Sequence, residues 1–368
     1  MISSLIFHLL IIFLSVFFAR KGVKKNNVES GKFSLNAWYI ASFATLLCFI
    51  GGREFVGRDW FNYQDIYEMN TQMAFILGET REFGFLFLIK YLNQFNCDFS
   101  VFIFLISALT LVLFYLPFRK SYYLLPYAIF FFFVGISYTT TINTIRQAVA
   151  LFCFFNILAC ADEWKENWKQ IAFFAVLGFS FHYTLILALP FVLLFNRQWT
   201  TRKMLVIICS TFIASFLFFS VFSNYVLNYM PKYDSYLSDD SIIAKNSTFG
   251  LGASLLLVLR LLPAFSYGRI KEHFPSFQGF YILYYIGLAI YYSSYKYLLI
   301  VRFTFYFQVF EIVVFSIFVY VLFKKKNSLF ALGYIVLWFF NYIYLYGDFV
   351  EDQILSNKFS LFFLEFSK

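Results

Sequence analysis

The stretch Gly51-Gly52-Arg53-Glu54-Phe55-Val56-Gly57-Arg58-Asp59-Trp60-Phe61-Asn62-Tyr63 decides how this chain is read. It sets two guanidiniums and two carboxylates on a turn punctuated by glycine. Directly before it lies the apolar run from Ser34 to Ile50, about 17 residues and so long enough to cross roughly 30 Å of hydrocarbon. In a chain of 368 residues with only 13% charged side chains, that concentration of charge is unusual. Which face of a bilayer it occupies, and which distant residues join it, follow from the remaining segments.

With 61% hydrophobic residues and a mean hydropathy of +0.72, the chain has too little polar surface to enclose a soluble core of its size. The expected fold is an all-α polytopic membrane protein forming a single integral membrane domain over residues 1–368. Within it, 51–98 is expected as a motif-bearing extracytoplasmic loop with an interfacial helix, and 223–248 as a second extracytoplasmic loop. The net charge of +9 raises the question of nucleic acid. The Lys and Arg residues, however, fall in short clusters between apolar runs, which is a topological pattern and not a binding face. The five cysteines form no C-x-x-C pair and no Cys/His spacing, so neither a metal nor any other cofactor is expected. No Lys or Arg precedes the first apolar stretch and no small-residue cleavage site follows it, so it reads as a retained helix.

The apolar runs are Ser3 to Ala19, Ser34 to Ile50, Phe99 to Leu116, Tyr122 to Tyr138, Ile142 to Ala161, Met204 to Phe222, Phe249 to Tyr267, Phe280 to Tyr292, Leu298 to Phe323 and Leu329 to Tyr346. Phe83 to Asn93 is too short to cross and is expected to lie in the interface. Ile171 to Asn196, with His182 near its middle, reads either as one tilted helix or as two half-helices meeting near His182. Basic residues at both of its ends favour the second, a V returning to the same face. The expectation is therefore about ten transmembrane helices plus a re-entrant or broken pair. On that map one face carries 17 basic and 5 acidic residues and the other 11 and 14. By the positive-inside rule the first face is cytoplasmic, which places the opening motif outside.

Three arginines begin or interrupt apolar runs: Arg146, Arg260 and Arg302. A charge at the centre of a membrane helix costs roughly 3 kcal/mol on insertion scales, so such groups usually face a polar cavity and a partner. Arg146 and Arg302 fall at the outer ends of their helices, on the side of Arg53, Arg58 and Asp59; Arg260 lies deeper, where either structural pairing or function could hold it. Guanidinium forks bind phosphate bidentately and keep their charge, so several converging on one outer cavity call for a pyrophosphate-bearing lipid. Asp59, Glu54 and Glu82 beside them are candidates for abstracting a hydroxyl proton, as is His182. Asp239-Asp240 reads as solvated surface. The tyrosines at 225, 229, 233 and 236 could stack on sugar rings or form an interfacial belt.

Taken in order, these residues form a pattern: Arg53, then Gly57-x-Asp59-Trp60-x-x-Tyr63-x-x-x-Tyr67, Glu82-x-Gly84-Phe85, Ile145-Arg146-Gln147, Phe181-His182 and Arg302-Phe303-x-x-Tyr306-Phe307. The pattern resembles the EpsG family of bacterial exopolysaccharide proteins, which is similar to the Wzy polymerases of O-antigen and capsule assembly. The chain departs from that family at Arg58-Asp59-Trp60, where Thr-Asp-Tyr is common, and so carries an extra cation. The resemblance implies a glycosyltransferase of GT-C-like architecture in the bacterial inner membrane, its active site facing the periplasm or exterior. Its partners would be undecaprenyl-pyrophosphate-linked oligosaccharide repeat units, membrane lipids and a chain-length regulator protein, with no nucleic acid. Arg53, Arg58, Arg146 and Arg302 would hold pyrophosphate; Asp59, His182 and Glu82 would be catalytic; Tyr63, Gln147 and Tyr306 would contact acceptor or sugar.

Two rival functions share parts of this pattern. An O-antigen ligase uses the same donor and differs only in its acceptor. A flippase or transporter of lipid-linked oligosaccharide would need a cavity open to both faces and often an internal repeat. No repeat is evident, and apart from Arg260 the unusual charges crowd one face.

Overall fold

The computed structural model describes residues 2–26, 34–69, 82–195, 199–229, 251–294, 298–351 and 360–361. The loop expected at 223–248 lies outside them beyond residue 229, as do Asp239, Asp240 and the part of the motif-bearing loop from 70 to 81. The described chain is a bundle of helices. In order they are α1 (Ile2–Lys25), α2 (Ala37–Gly51), α3 (Trp60–Glu68), α4 (Phe83–Gln94), α5 (Phe99–Tyr115), α6 (Leu125–Val134), α7 (Ser137–Asn143), α8 (Ile145–Ala161), α9 (Trp164–Phe181), α10 (Leu185–Ala188), α11 (Val192–Phe195), α12 (Thr201–Tyr229), α13 (Leu251–Leu261), α14 (Tyr267–His273), α15 (Gln278–Ser294), α16 (Leu298–Gln308), α17 (Glu311–Lys324) and α18 (Ser328–Glu351). A two-residue strand, Arg53–Glu54, pairs antiparallel with Ser360–Leu361.

Among the described residues, five helical stretches are long and apolar enough to cross a membrane: Ser4–Lys25, Phe99–Arg119, Thr201–Phe218, Ile300–Lys324 and Ser328–Gly347. A sixth is added if α6 and α7, bent by 62°, are taken as one span. The chain is therefore a membrane-embedded all-α protein. Fewer long rods appear than the ten runs read from sequence because several runs are short or broken: α2 has 15 residues and α8 has 17, and the run at Phe249 to Tyr267 tightens into a 3-10 turn at Pro263. Proline removes a donor and crowds the preceding turn, which ends α-helix there.

Burial sorts the helices. α8, α15 and α17 are buried along nearly their whole length, and α12 exposes Leu205, Val206, Phe212, Ile213, Phe216 and Leu217. An all-round apolar helix belongs in such a core, while the exposed apolar faces are those a bilayer would cover. Polar pins supplement the packing. Asn156 of α8 donates to the carbonyl oxygens of Leu113 and Phe152, each at 2.7 Å, and Asn36 caps α2 by accepting from Trp38 and Tyr39 N–H.

The two ends of the bundle differ in chemistry. At one, Lys120 pairs with Glu163 at 3.0 Å and Tyr123 packs on Tyr320, near the basic residues 119, 120 and 324–326. At the other, Ser4 Oγ meets Tyr346 Oη at 2.7 Å and His8 packs edge-on against Phe49, two residues before the Gly51 to Tyr63 motif. α9 starts at the basic end and runs to the motif end, where the helix breaks at His182, whose backbone is extended (φ −157°, ψ 106°). The chain then returns through α10 and α11 to Phe195, which packs on Phe280 beside Phe155. This is a V with His182 at its apex.

Gly84 lets α4 lie against α9, since a Cβ there would overlap the side chain of Ser180. Replacing it with valine should push the two helices apart and cost about 1–3 kcal/mol of stability, the range for overpacking. A thermal midpoint in detergent equal to that of the wild type would show that this contact does not form.

Candidate active site

The motif end gathers side chains from five segments. The turn after α2 depends on Gly57, whose φ of +111° and closeness to the Ile142 carbonyl oxygen (2.6 Å from a Cβ position) exclude any other side chain. That turn carries Asp59 to the start of α3, where its backbone N–H donates to Asn143 Oδ1 at 3.3 Å. One helical turn on, Tyr63 is buried within electrostatic reach of Asp59, Glu82 and Arg146. Burial pushes its phenol above the ordinary range although Arg146 opposes the shift, so Tyr63 remains a neutral donor at physiological pH.

Glu82, at the entry to α4, is the centre of the cluster. Its carboxylate accepts from Arg146 Nη1 at 2.6 Å through one oxygen and meets His182 Nδ1 through the other. Its side chain is 2% exposed, whereas Arg146 and His182 are 23% and 22% exposed. The carboxylate is thus sealed and the two groups it holds are the ones that reach the open side. Arg146 also lies over the rings of Tyr63 (5.7 Å) and Phe85 (5.3 Å). A carboxylate at Nδ1 orients the ring and, of the two tautomers, favours the one with its proton there, which leaves Nε2 as the nitrogen turned away from Glu82.

α16 packs beside the cluster. Gln147 Nε2 donates to the Arg302 carbonyl oxygen at 2.6 Å, joining α8 to α16, and Tyr306 Oη meets Thr184 Oγ1 at 3.1 Å, joining α16 to the return arm of the V. Arg302 is half-buried, and among the described residues its guanidinium makes no ion pair or hydrogen bond. Gln147 and Tyr306, expected to contact acceptor or sugar, are each tied to a neighbouring segment here.

Two further expectations change. Arg53 is 2% exposed, and its guanidinium donates to the Ile50 carbonyl oxygen and to Ser107 Oγ at 3.0 Å, under Trp60. It closes the C-terminal end of α2 behind the cluster instead of facing a ligand, because the last carbonyls of a helix have no partner within it. Glu82, expected as a proton-abstracting group, is engaged through both oxygens and positions its neighbours. Arg58 is exposed on the turn. Asn143 and Thr184 were not singled out from sequence; each lies within three residues of a motif position, and uncharged side chains carry no signal of their own.

Among the described residues no group of three or more His, Cys, Asp or Glu side chains could hold a metal. The family model of EpsG matches residues 36–359. The chain belongs to the EpsG family. Membership supports a polymerase-type role in polysaccharide biosynthesis, and with it an enzyme of glycosyltransferase kind. Searches among curated proteins and among solved structures found no match. The match spans each of the motif segments of this EpsG-family protein, from Arg53 to Phe307.

Removing one member of a buried ion pair typically costs about 3–5 kcal/mol because the other is left uncompensated. Arg146→Met alone and Glu82→Gln alone should each destabilise the protein more than the two together, measured by thermal unfolding in detergent. Strictly additive losses would show that the pair is not coupled.

Proposed function

We propose that this protein is a polymerase that joins polyprenyl-pyrophosphate-linked oligosaccharide repeat units on the outer face of the bacterial inner membrane, in a GT-C-like fold of about ten crossings. The observation that carries this reading is the sealed Glu82 carboxylate holding Arg146 and His182 together at the end of the bundle away from the basic clusters. The excess of basic residues at the opposite end favours a cytoplasmic location for that end.

In this reading the donor's pyrophosphate lies between Arg302 and Arg146. The acceptor hydroxyl oxygen attacks the anomeric carbon of the donor sugar. The bond from that carbon to the pyrophosphate oxygen breaks, and the leaving group takes the electron pair, its growing charge met by the guanidiniums. The hydroxyl proton passes to His182 Nε2 or to the Asp59 carboxylate, with Tyr63 as a neutral donor toward the sugar. Arg302 carries most of the anion's stabilisation, since the charge of Arg146 is already offset by Glu82. Substrate in this reading is lipid-linked glycan at every step, and a chain-length regulator is its protein partner.

Purified protein given a synthetic polyprenyl-pyrophosphate repeat unit should make a ladder of products. Arg302→Ala should lower the rate about 100-fold, the scale of losing one preorganised charge-stabilising group. His182→Ala should lower it by about 100-fold or more if the imidazole takes the proton. A single capped product would identify a ligase, and translocation without bond formation a transporter. Full polymerisation by both Arg302→Ala and Arg146→Ala at normal protein levels would end the pyrophosphate-clamp account.

A further inference from the structure

A second ionisable centre lies inside the bundle, away from the cluster around Glu82. Glu311, the first residue of α17, is fully buried, and Arg260 of α13 is 7% exposed. The two lie within electrostatic reach of each other and of Tyr284, and the Arg260 guanidinium sits 6.0 Å from the ring centre of Tyr291. Arg260 offsets the charge of Glu311, but Arg260 does not account for where the carboxylate points. Glu311 Oε1 accepts the backbone N–H of Ile136.

Ile136 stands at the break between α6 and α7. α6 ends at Val134, Gly135 is extended (φ −89°, ψ −162°), and the next helix leaves at 62°. The first N–H groups of a helix have no partner within it, and inside a bilayer water cannot supply one. A carboxylate from another helix does so here. From that point the chain runs through α7 to Asn143, which holds the Asp59 backbone N–H, and on through Thr144 to Arg146. The rod made of α16 and α17 therefore grips the α6 to α8 segment twice: Glu311 at Ile136 N–H, and the Arg302 carbonyl at Gln147.

We propose that Glu311 is a positioning residue for the reaction site, acting through the backbone break at Ile136 to fix the angle at which α7 and the start of α8 present Asn143 and Arg146. The inference rests on the polymerase reading for its activity readout, but the grip itself is testable without it. Glu311 accepts through an oxygen that glutamine also provides, so the hydrogen bond and the charge can be separated.

The experiment compares wild type, Glu311→Ala, Glu311→Gln and Ile136→Pro in nanodiscs, by the product ladder and by hydrogen exchange of the backbone from 136 to 147. Proline deletes the N–H while its fixed φ suits the observed −79° of Ile136. Glu311→Ala and Ile136→Pro should each lower kcat about 100-fold, the effect of an ångström-scale misplacement. KM for the donor should move far less, exchange should rise between 136 and 147 while staying unchanged in α1 and α2, and the double variant should lose no more than either single one. Glu311→Gln should stay within about 3-fold of wild type, since it keeps the acceptor. A Glu311→Gln variant as impaired as Glu311→Ala would overturn the proposal, as would unchanged exchange between 136 and 147 in Ile136→Pro. If Glu311→Ala does not fold, Glu311→Gln and Ile136→Pro decide alone. If the wild type makes no ladder, the polymerase reading fails while the exchange data still report on the grip.

Discussion

A carboxylate taken out of solvent must be given partners or give up its charge, and Glu82 is given two. Arg146 is 64 residues away along the chain and His182 is 100 residues away, so satisfying this one side chain requires three distant segments to meet at one point. Much of the local geometry reads as what that meeting requires. Gly84 lets α4 approach α9, His182 leaves helical backbone so that its ring can turn toward the carboxylate, and the chain kinks at Thr144 (φ −114°, ψ 63°) just before Arg146.

The same arrangement divides the labour among the charges. Glu82 is sealed by the two partners it holds, and Arg146 and His182 are the partly open members of the cluster. Arg53 serves the end of α2 and supports the cluster from behind. In the proposed reading the anion is met chiefly by Arg302, which stands on a helix tied to α8 by the Gln147 contact and whose guanidinium has no ion pair or hydrogen bond among the described residues. In that reading, Arg146 offset by Glu82, Arg302 and a carboxylate-oriented imidazole together suit a reaction in which negative charge develops on a leaving group while a hydroxyl loses its proton.

Much of this was legible from residue order. Runs of apolar residues gave the all-helical membrane class, and basic residues at both ends of Ile171 to Asn196 predicted the break at His182 that the structure contains. Arg146 stands out because a charge on an apolar segment demands a partner, His182 because it marks the break in a long apolar run, and Glu82 as a carboxylate beside the arginines; the structure brings the three together. Arg53 misled for the same reason: a sequence shows a guanidinium but not the carbonyl oxygen that claims it, and the ends of helices claim them often. The roles of Gln147 and Tyr306 as ties between helices, and of Asn143 and Thr184 at all, depend on contacts between neutral groups across more than 80 residues, for which neither spacing nor charge gives a sign. The count of long rods differed because a span broken by Pro263 or bent at Gly135 still reads as one apolar run.

The central claim is that the end of the bundle organised by Glu82 is where a lipid pyrophosphate binds. Electron cryomicroscopy of the protein in nanodiscs with a non-transferable polyprenyl pyrophosphate tests it most directly. The account predicts density for the two phosphates within hydrogen-bond reach of the Arg302 and Arg146 guanidiniums, on the open side of the Glu82 cluster. Phosphates bound at the basic end, near Lys120 and Lys324, with the Glu82 cluster untouched, would contradict it.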